Sequence, residues 1–322
     1  MRPIHFFALA CLLFPSCNED EPANREAGGK PVVFVPIAPY AGLVERIAGD
    51  AVDVVTLVAE TDDPHSFSPT PKAVASLVSA DIYFSAGMPF ETRLLETLEK
   101  TEGRLEIVNL VENLDRRAFA EGEHDHDHDH EHDHDEEHDH DEEHDHDEEH
   151  DHDEEHDHDE EELDPHVWLS PSLLIEQINR IENALADVVD SPEDRELLSE
   201  NALGLIFDLT SLDKELVGTL APLRGKTFYV YHGAFGYFAQ AYGLVQETVE
   251  LGGRGPGPKK LASLVEKAKR DGVTVIFVQP QFDTTSARNL AEAIGGRVVP
   301  IDPLAKDILG NLRDIAAKLS SE

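Results

Sequence analysis

The chain has 18 histidines, and 14 of them sit in one run, residues 123–162, whose other 26 positions are all Asp or Glu. His5 falls in an apolar N-terminal stretch. That leaves His65, His166 and His232 for histidine chemistry in the body of the chain. Two of these share a local grammar. His65 lies in Asp63-Pro64-His65-Ser66-Phe67-Ser68-Pro69, and His166 in Asp164-Pro165-His166-Val167-Trp168-Leu169-Ser170-Pro171. In each, proline fixes the backbone ahead of the imidazole, and Ser-Pro suits a helix start just beyond. His232 follows Thr227-Phe228-Tyr229-Val230-Tyr231, which reads as a strand. A lone loop histidine is usually nothing special. A repeated motif plus a third imidazole at a strand end predicts one shared site. Three neutral imidazoles suit zinc, at about 2.0–2.1 Å per bond. A fourth donor is required. Asp302, in Ile301-Asp302-Pro303-Leu304, is the candidate, with an ordinary turn-capping aspartate as its plainer reading. Water competes for that position, and Gln279, after the apolar run ending at Val278, is a weaker candidate.

The acidic run has its own chemistry. From His132 it settles into five consecutive copies of His-Asp-His-Asp-Glu-Glu. It has no apolar residue with which to offset the entropy of ordering, so it is expected to be a disordered surface loop. Imidazoles beside carboxylates are transition-metal donors, and their repetition predicts many weak, exchanging sites. A plain solvated polyanion would have no use for 14 imidazoles.

These residues need elements to bring them together. Short β-branched runs at 32–37, 52–58, 82–86 and 106–110 read as strands, alternating with helical stretches at 40–49, 70–80 and 90–101. Beyond the acidic run, 171–189 and 193–220 read as helices, the second opened by Ser191-Pro192-Glu193-Asp194. Within it, Ile206, Leu209, Leu212, Leu216 and Leu220 fall at three-and-four spacing. A second alternating unit follows, with strands at 227–231, 245–249, 273–278 and 297–301, and helices at 235–242, 258–271, 284–294 and 306–319. The expected fold class is α/β, with two lobes, each a parallel sheet flanked by helices, joined by a long rigid helix. The boundaries read as a signal at 1–17, a flexible tether at 18–30, a first lobe at 31–190 carrying the 123–162 loop, a linking helix at 193–222, and a second lobe at 223–322. In open parallel sheets ligands collect beyond the carboxyl ends of the strands, so facing lobes would bring His65 and His166 to His232.

Net charge is −41. The run holds 26 of the 67 acids, which leaves 41 acids against 26 Lys and Arg in the rest. An acidic body with no evident basic patch argues against nucleic acid. At the N-terminus, Arg2, an apolar stretch from Phe6 to Phe14 and then Ser16-Cys17 read as an export signal too short to span a bilayer. Ser16-Cys17 resembles a lipoprotein cleavage point, so the chain is expected outside the cytoplasm, lipid-anchored at Cys17, with simple secretion as the other reading.

With Asp-Pro-His-Ser-Phe-Ser-Pro, Asp-Pro-His-Val-Trp-Leu-Ser-Pro, the stretch from His232 to Leu244 and Asp302-Pro303-Leu304 in place, the chain resembles the periplasmic metal-binding proteins of zinc and manganese ABC importers, ZnuA-like and TroA-like, over residues 31–322. The resemblance implies a cleft metal site at His65, His166 and His232, zinc as cargo, and delivery to an ABC permease and its ATPase by a monomer that is not an enzyme. Manganese members tend to carry a carboxylate where this chain has His232, and imidazole shifts preference from Mn²⁺ toward Zn²⁺. The chain departs from the family at Arg254-Gly255-Pro256-Gly257-Pro258, where a Pro-Ser turn is usual. Rival readings are a metal-storage protein or adhesin without a transporter, and a hydrolytic zinc enzyme, for which no His-Glu-x-x-His or Gly-x-Ser-x-Gly signature appears.

Overall fold

The computed structural model describes residues 29–101, 103–118, 163–250 and 254–321. The signal, most of the tether and the acidic run lie outside these residues. The first unit contains β1 (Val32–Val35), α1 (Ala38–Ala48), β2 (Asp53–Thr56), α2 (Pro71–Val78), β3 (Ile82–Ser85), α3 (Glu91–Leu98) and β4 (Glu106–Asn109). Its sheet is parallel, in the order β2-β1-β3-β4. The second contains β5 (Thr227–Val230), α6 (Gly236–Tyr242), β6 (Val245–Thr248), α7 (Pro258–Arg270), β7 (Val275–Val278), α8 (Thr285–Ile294), β8 (Arg297–Pro300) and α9 (Ile308–Ser320). Its sheet, in the order β6-β5-β7-β8, is parallel and repeats the same winding. Between the two lie α4 (Pro171–Val188) and α5 (Pro192–Leu220).

The linking helix α5 forms for reasons visible in its first turn. Ser191 Oγ accepts from the Asp194 amide at 3.2 Å, Pro192 occupies the first position, and Glu193 and Asp194 complement the helix dipole. Its 29 residues span about 43 Å. The buried stripe runs Leu198, Ala202, Leu205, Leu209, Leu212, Leu216 and Leu220. The expected Ile206 lies beside this stripe, half-buried, because the seam turns toward Leu205. At roughly 1.5–3 kcal/mol for each fully buried leucine, this stripe is a large share of what fixes α5 in place.

The two lobes share one core. Both faces of the first sheet, α1, α4, α5 and α9, and Phe228, Val230, Phe277, Ile301 and Leu304 of the second lobe all belong to a single apolar cluster. A second cluster lies on the outer side of the second sheet, under α7 and α8. Polar ties reinforce the junction. Lys306 Nζ pairs with Glu45 at 2.7 Å, and Arg313 Nε on α9 pairs with Glu215 at 2.9 Å. The indole N–H of buried Trp168 donates to the Pro303 carbonyl at 2.7 Å. The backbone at Lys306 packs so closely on α1 that a Cβ at Gly42 would overlap its carbonyl.

A side chain at Gly42 must therefore push the lobes apart or distort α1. Gly42→Val is expected to destabilise the protein by about 1–3 kcal/mol, the usual penalty of overpacking. Urea unfolding measures it, and an unchanged midpoint would mean that this close approach does not exist in solution.

Candidate metal centre

Each body histidine sits beyond the carboxyl end of a strand or at the start of a helical turn, and each is held by a different device. His65 lies in the loop between β2 and α2, where the Asp63 carboxylate accepts from the His65 amide at 2.9 Å. His166 precedes a 3₁₀ turn, Val167–Leu169, leading into α4. The Asp164 Oδ1 atom accepts from both the His166 amide, at 3.0 Å, and the His166 Nδ1 atom, at 2.7 Å. The two Asp-Pro-His motifs thus make the same aspartate-to-amide turn, and in the second the aspartate also grips the ring. His232 follows β5. Its amide donates to Gln279 Oε1 at 3.1 Å, and Gln279 Nε2 donates back to the His232 carbonyl at 2.8 Å. Its Nδ1 atom pairs with Glu250 Oε1.

The consequence is convergence. The Nε2 atoms of His65 and His166 are 3.3 Å apart, and those of His166 and His232 are 3.2 Å apart. Among the described residues these three form the one group with ligand atoms all within 4.8 Å of one another. A tetrahedral ion with bonds of about 2.0–2.1 Å to nitrogen has ligand–ligand edges of about 3.3–3.4 Å. The spacing therefore fits two edges of such a tetrahedron. Carboxylates on Nδ1 of His166 and His232 hold the proton there and leave Nε2 as a lone pair facing the centre.

Burial and charge are consistent with a cation. His166 and His232 are buried and His65 is half-buried, so the centre opens on the His65 side. Trp168 lies beside the His166 ring, with centroids 5.1 Å apart, and Phe282 beside His232 at 4.6 Å. Asp164 and Glu250 are both buried behind the rings, and Arg117 pairs with Asp164 at 3.5 Å. Two buried carboxylates against one guanidinium leave the surroundings negative. Tyr237 secures this wall: its hydroxyl donates to the Asp164 carbonyl at 2.9 Å and accepts from the Arg117 amide at 3.1 Å. Burial and the Asp164 carboxylate push that hydroxyl up to about 12, so it remains a donor at neutral pH. Gly236, beside it, has no room for a Cβ against Arg117 and Asp164.

The other sequence candidates fall outside the trio. Asp302 Oδ1 accepts from Gln281 Nε2 and from the Leu304 amide, each at 2.9 Å, so it caps its own turn. Through Gln281, which also donates to the Glu60 carbonyl at 2.9 Å, it braces a contact across the cleft near the His65 loop. Gln279 is fully buried and clamps the His232 backbone with both amide atoms. Sequence reasoning missed the supporting roles of Asp164 and Glu250. Asp164 was signalled by its place in the repeated motif. Glu250 is one acid among 67 and carried no signal.

Comparisons with known proteins agree with this geometry. The profile of the family described as ZnuA, zinc-uptake complex component A, periplasmic, matches residues 33–321. The chain is similar to the high-affinity zinc uptake system protein ZnuA of Bacillus subtilis, 30% identical over 308 residues, covering 93% of this chain and 87% of that protein. It is also similar to the zinc-binding lipoprotein AdcA of Streptococcus pneumoniae, 29% identical over 304 residues. There it covers 92% of this chain but 54% of that protein, so the chain spans about half of AdcA's length. A crystal structure of ZnuA superposes with a TM-score of 0.74 at 29% identity, covering 91% of this chain and 99% of that one. A zinc-bound ZnuA deletion mutant does so with a TM-score of 0.73, also at 29% identity, covering 91% of this chain and 97% of that one.

If Glu250 orients His232 and fixes its tautomer, Glu250→Ala should lower zinc affinity about 10- to 100-fold. Competition with a chelator of known affinity reads this directly. Wild-type affinity in that variant would remove the carboxylate from the account of the site.

Proposed function

We propose that this chain, which belongs to the ZnuA family of periplasmic zinc-uptake components, captures Zn²⁺ outside the cytoplasm between its two lobes and delivers it to an ABC permease driven by an ATPase. The observation that carries the reading is the convergence of three imidazoles on an interlobe cleft, with the His166 Nε2 atom 3.3 Å from that of His65 and 3.2 Å from that of His232. His65, His166 and His232 supply three ligands. Asp302 is the chain's own candidate for the fourth, on release of its Oδ1 atom from Gln281, with water as the competitor. An all-imidazole trio favours Zn²⁺ over the harder Mn²⁺. The carboxylates nearest the rings, Asp164 and Glu250, are committed to Nδ1 atoms. That supports a carrier over a hydrolase, which needs a carboxylate or imidazole poised as general base toward a bound water. Anchoring at Cys17, the monomeric state and a metal-gathering role for the 123–162 run rest on sequence and belong to the same proposal.

Zinc titration calorimetry on the chain lacking residues 123–162 should give one tight site per molecule. In that background His65→Ala, His166→Ala and His232→Ala should each weaken binding by about two orders of magnitude or more, and Asp302→Ala by much less. Loss of the tight site together with the run would sink the division between them, and an Asp302→Ala loss matching the histidine variants would make Asp302 a full ligand.

Imidazole ligates only when unprotonated, so capture releases protons and must weaken as the solution is made acid. A zinc affinity flat from pH 8 to 5 would show that imidazoles do not hold the ion.

A further inference from the structure

One helix runs against the acidity of the whole. The α7 sequence Pro-Lys-Lys-Leu-Ala-Ser-Leu-Val-Glu-Lys-Ala-Lys-Arg carries Lys259, Lys260, Lys267, Lys269 and Arg270 against the single acid Glu266. No other helix among the described residues has more than two cations. This corrects the sequence reading of a body without a basic patch. At 100° per residue, Lys259, Lys260, Lys267 and Arg270 fall within about 100° of arc, and Lys269 lies about 80° to the other side of Lys259, so the five cations share one half of the helix. The opposite side, Leu261, Leu264, Val265 and Ala268, packs on the outer cluster of the second lobe. Lys259, Lys260, Lys269 and Arg270 are exposed, and Lys267 is the one cation of the helix in an ion pair among the described residues, with Glu247.

We infer that this basic face is a docking surface for the chain's own acidic run, residues 123–162. The charges are complementary, 26 acids against five cations. Connectivity favours the same partner. The run is rooted where Ala118 and Leu163 form an antiparallel bridge, and the adjoining Arg117 amide donates to Tyr237 of the second lobe. Half of the 44 residues between those ends can extend about 70 Å, more than three times the roughly 20 Å length of α7. A segment tethered this way is present at an effective concentration of about millimolar. A free polyanion or an anionic lipid surface has no such advantage, and is repelled by the surplus of 15 acids, 41 against 26, in the rest of the chain. Each divalent ion taken up by the run cancels two of its charges. Docking and metal loading therefore compete, and the run leaves α7 as it fills. This competition rests on the reading of the run as a metal gatherer; docking in metal-free protein does not.

The test uses the full chain with a chelator at low salt. Carbodiimide coupling followed by mass spectrometry should join the run to Lys259, Lys260 and Lys269 in preference to Lys72, Lys100, Lys214 and Lys318. The links should fall in 0.5 M salt and with excess Zn²⁺. Combined Lys259→Glu, Lys260→Glu, Lys269→Glu and Arg270→Glu should raise the radius of gyration in small-angle scattering. The same reversal in the chain lacking the run should leave it unchanged, with tight zinc binding retained as a check on folding. Links spread evenly over all lysines, or a radius unmoved by the reversal, overturn the docking. Links that survive excess Zn²⁺ overturn the competition alone. Should the run-deleted protein sediment with phosphatidylglycerol vesicles until α7 is reversed, the occupant of the face is a lipid surface and the inference fails.

Discussion

The Nε2 lone pairs of His166 and His232, 3.2 Å apart, repel, and the Nε2 atom of His65 lies 3.3 Å from that of His166. With the protons of His166 and His232 kept at Nδ1 by carboxylates, the Nε2 atoms cannot relieve the repulsion by hydrogen bonding to each other in both directions. In the proposed site a cation at their centre would convert the repulsion into three bonds. On that proposal the site is arranged for its ion in advance, and the cost of holding it falls on the surrounding structure.

That structure is suited to bear it. His166 stands on the connection between the sheets, His232 just beyond β5 of the second lobe, and His65 on a loop of the first. A spacing set by three separate pieces survives only if those pieces do not drift. Two lobes with separate cores would be expected to move against one another. Here the apolar cluster runs through both, with α5 and α9 along the seam. The Trp168–Pro303 and Gln281–Glu60 hydrogen bonds tie the lobes close to the site itself. Such a frame leaves little room for drift at the site, and the half-buried His65 is the ring nearest solvent.

Much of this was legible in the sequence because it is written in local rules. Alternating β-branched and amphipathic segments give two parallel sheets, and the expected strands and helices lie where the structure has them. Their ends differ for nameable reasons. The first strand stops at Val35, where Pro36 has no amide proton to donate to the ladder. The last helix starts at Ile308 and not at Lys306, because Asp307 caps it through the Gly310 amide at 3.1 Å. The three imidazoles could be found by subtraction. Their supports could not. Gln279, weighed as a ligand, turns its amide onto the His232 backbone, and a polar residue beyond an apolar strand looks the same in either role. Glu250 meets His232 across the gap between adjacent strands, a contact that depends on β5–β6 register, which no local pattern encodes. The basic face of α7 was overlooked for a different reason: net charge averages over a helix whose cations gather on one side only in three dimensions.

The placement of the carboxylates also bears on which metal the cleft selects. Within the trio the donors are all nitrogen. Asp164 and Glu250 stand one hydrogen bond further out, behind His166 and His232. Had either carboxylate bound the ion directly, its charge would have come with a hard oxygen donor that suits manganese or magnesium. Held behind a ring, the same charge still attracts a dication and raises the basicity of the imidazole, while the contact atom stays nitrogen. In the proposed site attraction and discrimination would thereby be separated: the buried acids would supply the first and the imidazoles the second. A site built in this way can favour Zn²⁺ without being weakly charged.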